Sequence, residues 1–115
     1  MNKVAKEPKS KDVRGRVFEL KGMVDYQAGS IVSREVVSQK TGTVTVFAFA
    51  EGQGLSEHTA PFDAMVVGLD GEAEIFIAGE PNRIAMGDMI IMPAGIPHAL
   101  KAAGNFKMLL VMIKK

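Results

Sequence analysis

From Val17 onward the apolar residues come in short runs broken by Gly, Pro, Asn and Asp. No stretch holds a helical period for more than about three turns. The pattern predicts strands over residues 31–39, 43–50, 55–59, 62–69, 72–78, 82–85, 89–92, 98–102 and 106–113. Their spacing, about eight to twelve residues, suits a β-barrel or sandwich, so the chain reads as all-β. The stretch Leu20-Lys-Gly-Met-Val24 has room for one helical turn, which Gly22 discourages from growing. Asp70-Gly71 carries a two-residue hairpin signal, Gly79-Glu-Pro-Asn82 a longer turn and Gly87-Asp88 a third, and these predict antiparallel neighbours.

Alternation assigns faces to these strands. Over 72–78, Glu72 and Glu74 alternate with Ala73, Ile75 and Ile77, which leaves one wet face. Two strands are apolar on both sides: Val44, Val46 and Ala48 oppose Phe47 and Phe49, and Met108, Leu110 and Met112 oppose Leu109, Val111 and Ile113. A sheet apolar on both faces needs a second cover, and a chain of 115 residues has no helices to spare for it. The expected cover is a second copy, a homodimer formed sheet against sheet. The alternative is residues 17–26 folded over one of these faces.

Length and composition support one domain, residues 17–115, with 47% hydrophobic content to fill a core. Residues 1–16 hold six Lys/Arg against two acids, leaving eight against eleven in the remainder. With few large apolar residues, this lead reads as a basic, flexible, solvated arm, or as an arm that adds a strand to a partner. The folded part is not basic enough to read nucleic acid. No run reaches the eighteen or so apolar residues of a membrane span and no signal-peptide core is present, so the cytoplasm is the default location. The chain has no cysteine, which excludes disulfides, thiolate metal sites and thiol nucleophiles.

The candidate chemistry rests on two histidines. His58 shares a strand face with Ala60, and His98 with Leu100, while Thr59 and Lys101 turn the other way. Both imidazoles therefore point to the apolar, inward side. Gly52-Gln-Gly-Leu-Ser-Glu-His58 leads into Pro61-Phe-Asp-Ala-Met-Val66, and Gly87-Asp-Met-Ile-Ile-Met-Pro93 leads through Gly95 and Pro97 to His98. Together these segments, from about Gly52 to Ala102, resemble the paired motifs of the cupin superfamily, and in particular its small single-domain members.

The resemblance implies an antiparallel jelly-roll (double-stranded β-helix) barrel in which the two histidine strands run side by side, with the rings converging on a metal near the barrel mouth. It also marks departures. Where the first motif has a second histidine and a glutamate this chain has Ala60 and Ala64, and where the second has an asparagine it has Ala102. Two of the usual four ligands remain, His58 and His98.

Two neutral imidazoles suit Fe, Mn, Ni, Zn or Cu, and a divalent metal held by this pair with waters completing the shell is one reading. A metal-free pocket in which the histidines bond a ligand is the second, and histidines satisfied inside a core the third. Oxygen donors lie nearby at Gln53, Glu57 and Asp63, but strand parity turns Glu57 and Asp63 outward unless a bulge at Pro61 resets the register. The two alanines also create space, lined on this reading by Phe47, Ala60, Ala64, Val66, Met92 and Leu100 beside His98. The eight methionines are foremost packing material. No serine lies in a nucleophile elbow, and Gly52-Gln-Gly54 lacks the setting of a phosphate cradle. The expected function is binding of a small molecule in the barrel, with or without a divalent metal. The alternative is a metal-dependent, dioxygenase- or isomerase-like enzyme acting on a small organic acid.

Overall fold

In the computed structural model, residues 4–6, as backbone, and 13–114 are described. Among the described residues ten strands appear: β1 (Val4–Lys6), β2 (Ile31–Gln39), β3 (Gly42–Phe49), β4 (Gly54–His58), β5 (Ala64–Asp70), β6 (Glu72–Ile77), β7 (Glu80–Ala85), β8 (Met89–Met92), β9 (His98–Ala102) and β10 (Phe106–Ile113). The larger sheet runs β1-β2-β3-β10-β5-β8 and the smaller β4-β9-β6-β7. All pairs are antiparallel except β1 with β2. This is a jelly-roll barrel, with the inner faces of the two sheets closing on one core.

Each of the nine strands read from alternation is present, with no end displaced by more than two residues. The one added strand, β1, lies inside the segment read as an arm and pairs with Ile31–Ser33 of β2. The rest of that segment up to residue 12 lies outside the described residues.

Two turns differ from expectation. Ile77 pairs with Glu80, so the hairpin between β6 and β7 is closed by Ala78 and Gly79, both with positive φ (52° and 83°). That is the two-residue turn whose twist suits a hairpin, whereas the sequence pointed to a longer one, because alanine is a poor signal for positive φ. Asp70-Gly71 is not a hairpin at all: β5 and β6 belong to different sheets, and Gly71 turns the corner between them at φ 72°. A Cβ there would collide with the Asn105 carbonyl.

The barrel core is built around Phe49, Phe106, Ile75 and Met108, with Phe49 stacked on Phe47 (5.8 Å) and tilted against Phe106 (6.1 Å). A second cluster lies on the outer face of the larger sheet, where Met23 and Val24 cover Val32, Val46 and Ala48, with Phe18 and Tyr26 packed alongside. The N-terminal segment thus provides much of the cover that the doubly apolar strands demanded. It is clasped by polar groups: the buried Lys107 donates from Nζ to the Lys21 carbonyl (2.6 Å) and lies over the Tyr26 ring, and the Tyr26 hydroxyl donates to Asp70 (2.6 Å). Burial, then the bond to Asp70 and its charge, push the Tyr26 hydroxyl far above its ordinary range. No helix among the described residues is long and apolar enough to cross a membrane.

Candidate functional site

His58 closes β4 and His98 opens β9, and the two residues are cross-strand partners in the smaller sheet. Their approach depends on a bulge. Leu55 pairs with Leu100 and His58 with His98, so three steps along β4 match two along β9. The extra residue at Ser56-Glu57 resets parity and brings Leu55 and His58 to the same inner face. On the other side, Gly95 takes φ 75° in a turn closed by Ile96 N–H donating to the Pro93 carbonyl (3.3 Å). That is the conformation glycine supplies at the third position of such a turn. The turn is anchored by Gly95 N–H to the Ala60 carbonyl (2.8 Å) and Ala94 N–H to Asp63 Oδ1 (2.8 Å), which fixes the entry of β9 and the His98 ring.

The rings meet edge to face with centroids 4.4 Å apart and their Nε2 atoms at 3.1 Å. His98 is only 4% exposed, whereas His58 sits at the solvent side. Each Nδ1 faces a carbonyl two residues earlier, His58 to Ser56 (2.8 Å) and His98 to Ile96 (3.2 Å). A carbonyl only accepts, so both Nδ1 atoms carry the proton. In neutral rings both Nε2 atoms then keep a lone pair, and their 3.1 Å approach suits a shared proton or another cation.

Behind the pair lies a cavity of about 470 Å³, counting its open mouth, between the two sheets. Ala60, Ala64, Val66, Met92 and Leu100 line it as expected, with both histidines. Phe47 does not; it is drawn into the aromatic stack of the core. Leu55, Met108, Leu110 and Met112 line it instead, and the alternation of 106–113 had already put the last three on one face. The two histidines are the only polar side chains in this lining.

Among the described residues no cluster of three or more His, Cys, Asp or Glu exists. Gln53, Glu57 and Asp63 stay out of the cavity, Asp63 being committed to the Ala94 amide and Glu57 lying in the exposed bulge. The residues fit the histidine half of a divalent centre, since nitrogens 3.1 Å apart can both reach one ion at about 2.0–2.1 Å. Their fixed Nδ1–H bonds are also what orients metal-bound imidazoles. The oxygen half is missing, and the full divalent set does not fit.

Burial first, then the charge of His58, lower the His98 pKa, against a smaller opposite effect of the Ile96 carbonyl. The unfolded chain therefore binds more protons than the folded one between the folded value and about 6.5. Stability from neutral His98 is complete above that window and lost as pH falls through it. The urea midpoint of metal-free protein should drop between pH 7 and pH 5, and drop less in His98→Gln; superimposable profiles would refute the assignment.

The cupin domain model matches residues 45–114. A conserved protein of unknown function from Streptococcus pyogenes is 43% identical, with 89% of this chain and 90% of that one covered and a TM-score of 0.84. A cupin 2 conserved barrel domain protein from Leptotrichia buccalis is 41% identical over 84% of this chain and 47% of that one, with a TM-score of 0.80. A cupin superfamily protein from Desulfitobacterium hafniense, 24% identical, shares the fold over 89% of this chain and 94% of its own with a TM-score of 0.84. No curated protein sequence matches. Matched over most of its barrel by the family model and by these structures, the chain belongs to the cupin family.

Proposed function

We propose that the protein binds a small molecule with an apolar body in the barrel cavity, its polar end held at the His58–His98 pair. The observation that carries this reading is the lining of the cavity, apolar except for two imidazoles in contact at its mouth. A pair sharing one proton is a monocation, so small monocarboxylates such as hexanoate and benzoate are the first probes.

A bound molecule at a hundredfold its Kd adds about 2.7 kcal/mol of stability. At least one such carboxylate should raise the melting temperature of the parent, and Ala64→Phe, which fills the cavity beside Met92, should abolish the rise. Equal shifts in both proteins would overturn the proposal, as would none in the parent.

The second reading, a metal-dependent enzyme acting on a small organic acid, draws on the two oriented imidazoles. It requires near-stoichiometric Fe, Mn, Ni or Zn in untagged protein, lost in His58→Ala and in His98→Ala. Elemental analysis decides it.

A second copy of the chain is proposed as the partner. Among the described residues, the N-terminal segment leaves part of the outer face of the larger sheet uncovered, with Val37, Ile91 and Ile113 between 41% and 66% exposed.

A further inference from the structure

The departure from the family's ligand set points to a different ion. We infer that the His58–His98 pair, with the methionine thioethers of the same cavity, forms a site for monovalent copper rather than for a divalent metal. This rests on the pocket at His58 and His98 being the functional one.

Three observations carry it. The Nε2 atoms, 3.1 Å apart with both Nδ1 atoms facing carbonyls, offer two nitrogen donors to one cation. The donors that share the cavity are soft. Met92, Met108 and Met112 line it together with the histidines, and no carboxylate, amide or hydroxyl side chain does. Third, register sets methionines on both sides of the position where the family motif has its glutamate. Ala64, at the glutamate position, pairs with Met112 on one side and Met92 on the other, so the inner face of the larger sheet presents Met112, Ala64 and Met92 in one row.

Divalent ions held by only two imidazoles complete their shells with oxygen ligands and bound waters, and no carboxylate, amide or hydroxyl side chain of this lining supplies or orients them. Thioether and imidazole suit Cu(I), which accepts few ligands. Charge argues the same way. Burial cost rises with the square of the charge, and no anion lines the cavity to offset a second positive charge.

The test uses the full chain purified without a polyhistidine tag, titrated anaerobically with Cu(I) against bicinchoninate, and in parallel with Zn(II), Fe(II), Mn(II) and Ni(II). One Cu(I) per chain is expected, at least a hundredfold tighter than any of these divalent ions. His58→Ala and His98→Ala should each lower Cu(I) affinity a hundredfold or more. The near-isosteric triple variant Met92→Leu, Met108→Leu, Met112→Leu should lower it at least tenfold. X-ray absorption at the copper edge, needing no variant, should show sulfur beside nitrogen in the parent.

Zn(II) or Fe(II) binding as tightly as Cu(I), a copper shell without sulfur, or a triple variant that folds and matches the parent would each overturn the inference. A carboxylate-induced melting shift that survives any of these results leaves the pocket reading standing. If Cu(I) fails to bind and no carboxylate shifts the parent, both fall.

Discussion

Gly68→Ala is expected to destabilise the barrel by about 2–4 kcal/mol, combining overpacking with two weakened hydrogen bonds. Gly68 lies on the inner face of β5, and a Cβ there would fall inside the radius of the Ala85 carbonyl oxygen at the end of β7. The corner between β7 and β8 is pinned to this glycine on both sides: Gly68 N–H donates to the Asp88 carbonyl (2.8 Å) and Gly87 N–H to the Gly68 carbonyl (2.9 Å). The obstacle is backbone, so no rotamer change relieves it. Movement of the corner would also disturb β8, which carries Met92 into the cavity, so binding at the pocket should weaken together with stability. Gly104→Ala is the control, since nothing lies within 4 Å of a Cβ there and its φ is not in the left-handed region. Urea denaturation of the three proteins decides the matter: a Gly68→Ala midpoint equal to that of the parent would show that the corner is not held as described.

That glycine illustrates why strands were easier to read than their arrangement. Alternation and turn residues are local, and they located nine strands and the inward side of His98 and Leu100. Which sheet a strand joins is not local. Asp70-Gly71 has the composition of a hairpin, yet β5 pairs with β8 and β10 while β6 pairs with β7 and β9. The turn at Ala78 was hidden because an alanine held at φ 52° by its surroundings, with its N–H donating to the Pro97 carbonyl, looks like any other alanine.

The site was legible in the same uneven way. Parity put both histidines inward, and the likeness to cupin motifs brought them together; the bulge that lets Leu55 and His58 share a face leaves no mark in residue type. Methionine was read as packing, which is its usual role, and only register shows Met112 and Met92 flanking Ala64. The covering segment was read from the sequence only as the alternative to a second copy, for a related reason. Its hold on the sheet depends on Lys107, Tyr26 and Asp70, polar residues far apart in sequence that meet on the face where β5 and β10 run together.

Met65→Lys is expected to convert the proposed dimer into monomers while leaving the fold intact. Among the described residues, the N-terminal segment covers the outer face of the larger sheet around Val32, Val46 and Ala48, with Leu69 and Leu109 alongside. Farther along, the pairing places Val37, Val44, Val111, Met65 and Ile91 in a single row across five strands. Directly paired residues share a face, so this row is one apolar band, ending in Val37 (41% exposed) and Ile91 (50%), with Ile113 (66%) beside it. A second copy related by a two-fold axis presents the same band in return, which makes a flat apolar sheet face self-complementary. Met65 lies next to the centre of the row and on the face away from the barrel core, so its replacement spares the core while placing two like charges in the interface. Such charges cost several kcal/mol, roughly a thousandfold in Kd for about 4 kcal/mol. Sedimentation equilibrium of the parent at tens of micromolar should give twice the chain mass and that of Met65→Lys the mass of one chain; a monomeric parent, or a variant that stays dimeric, would remove this face as the site of assembly.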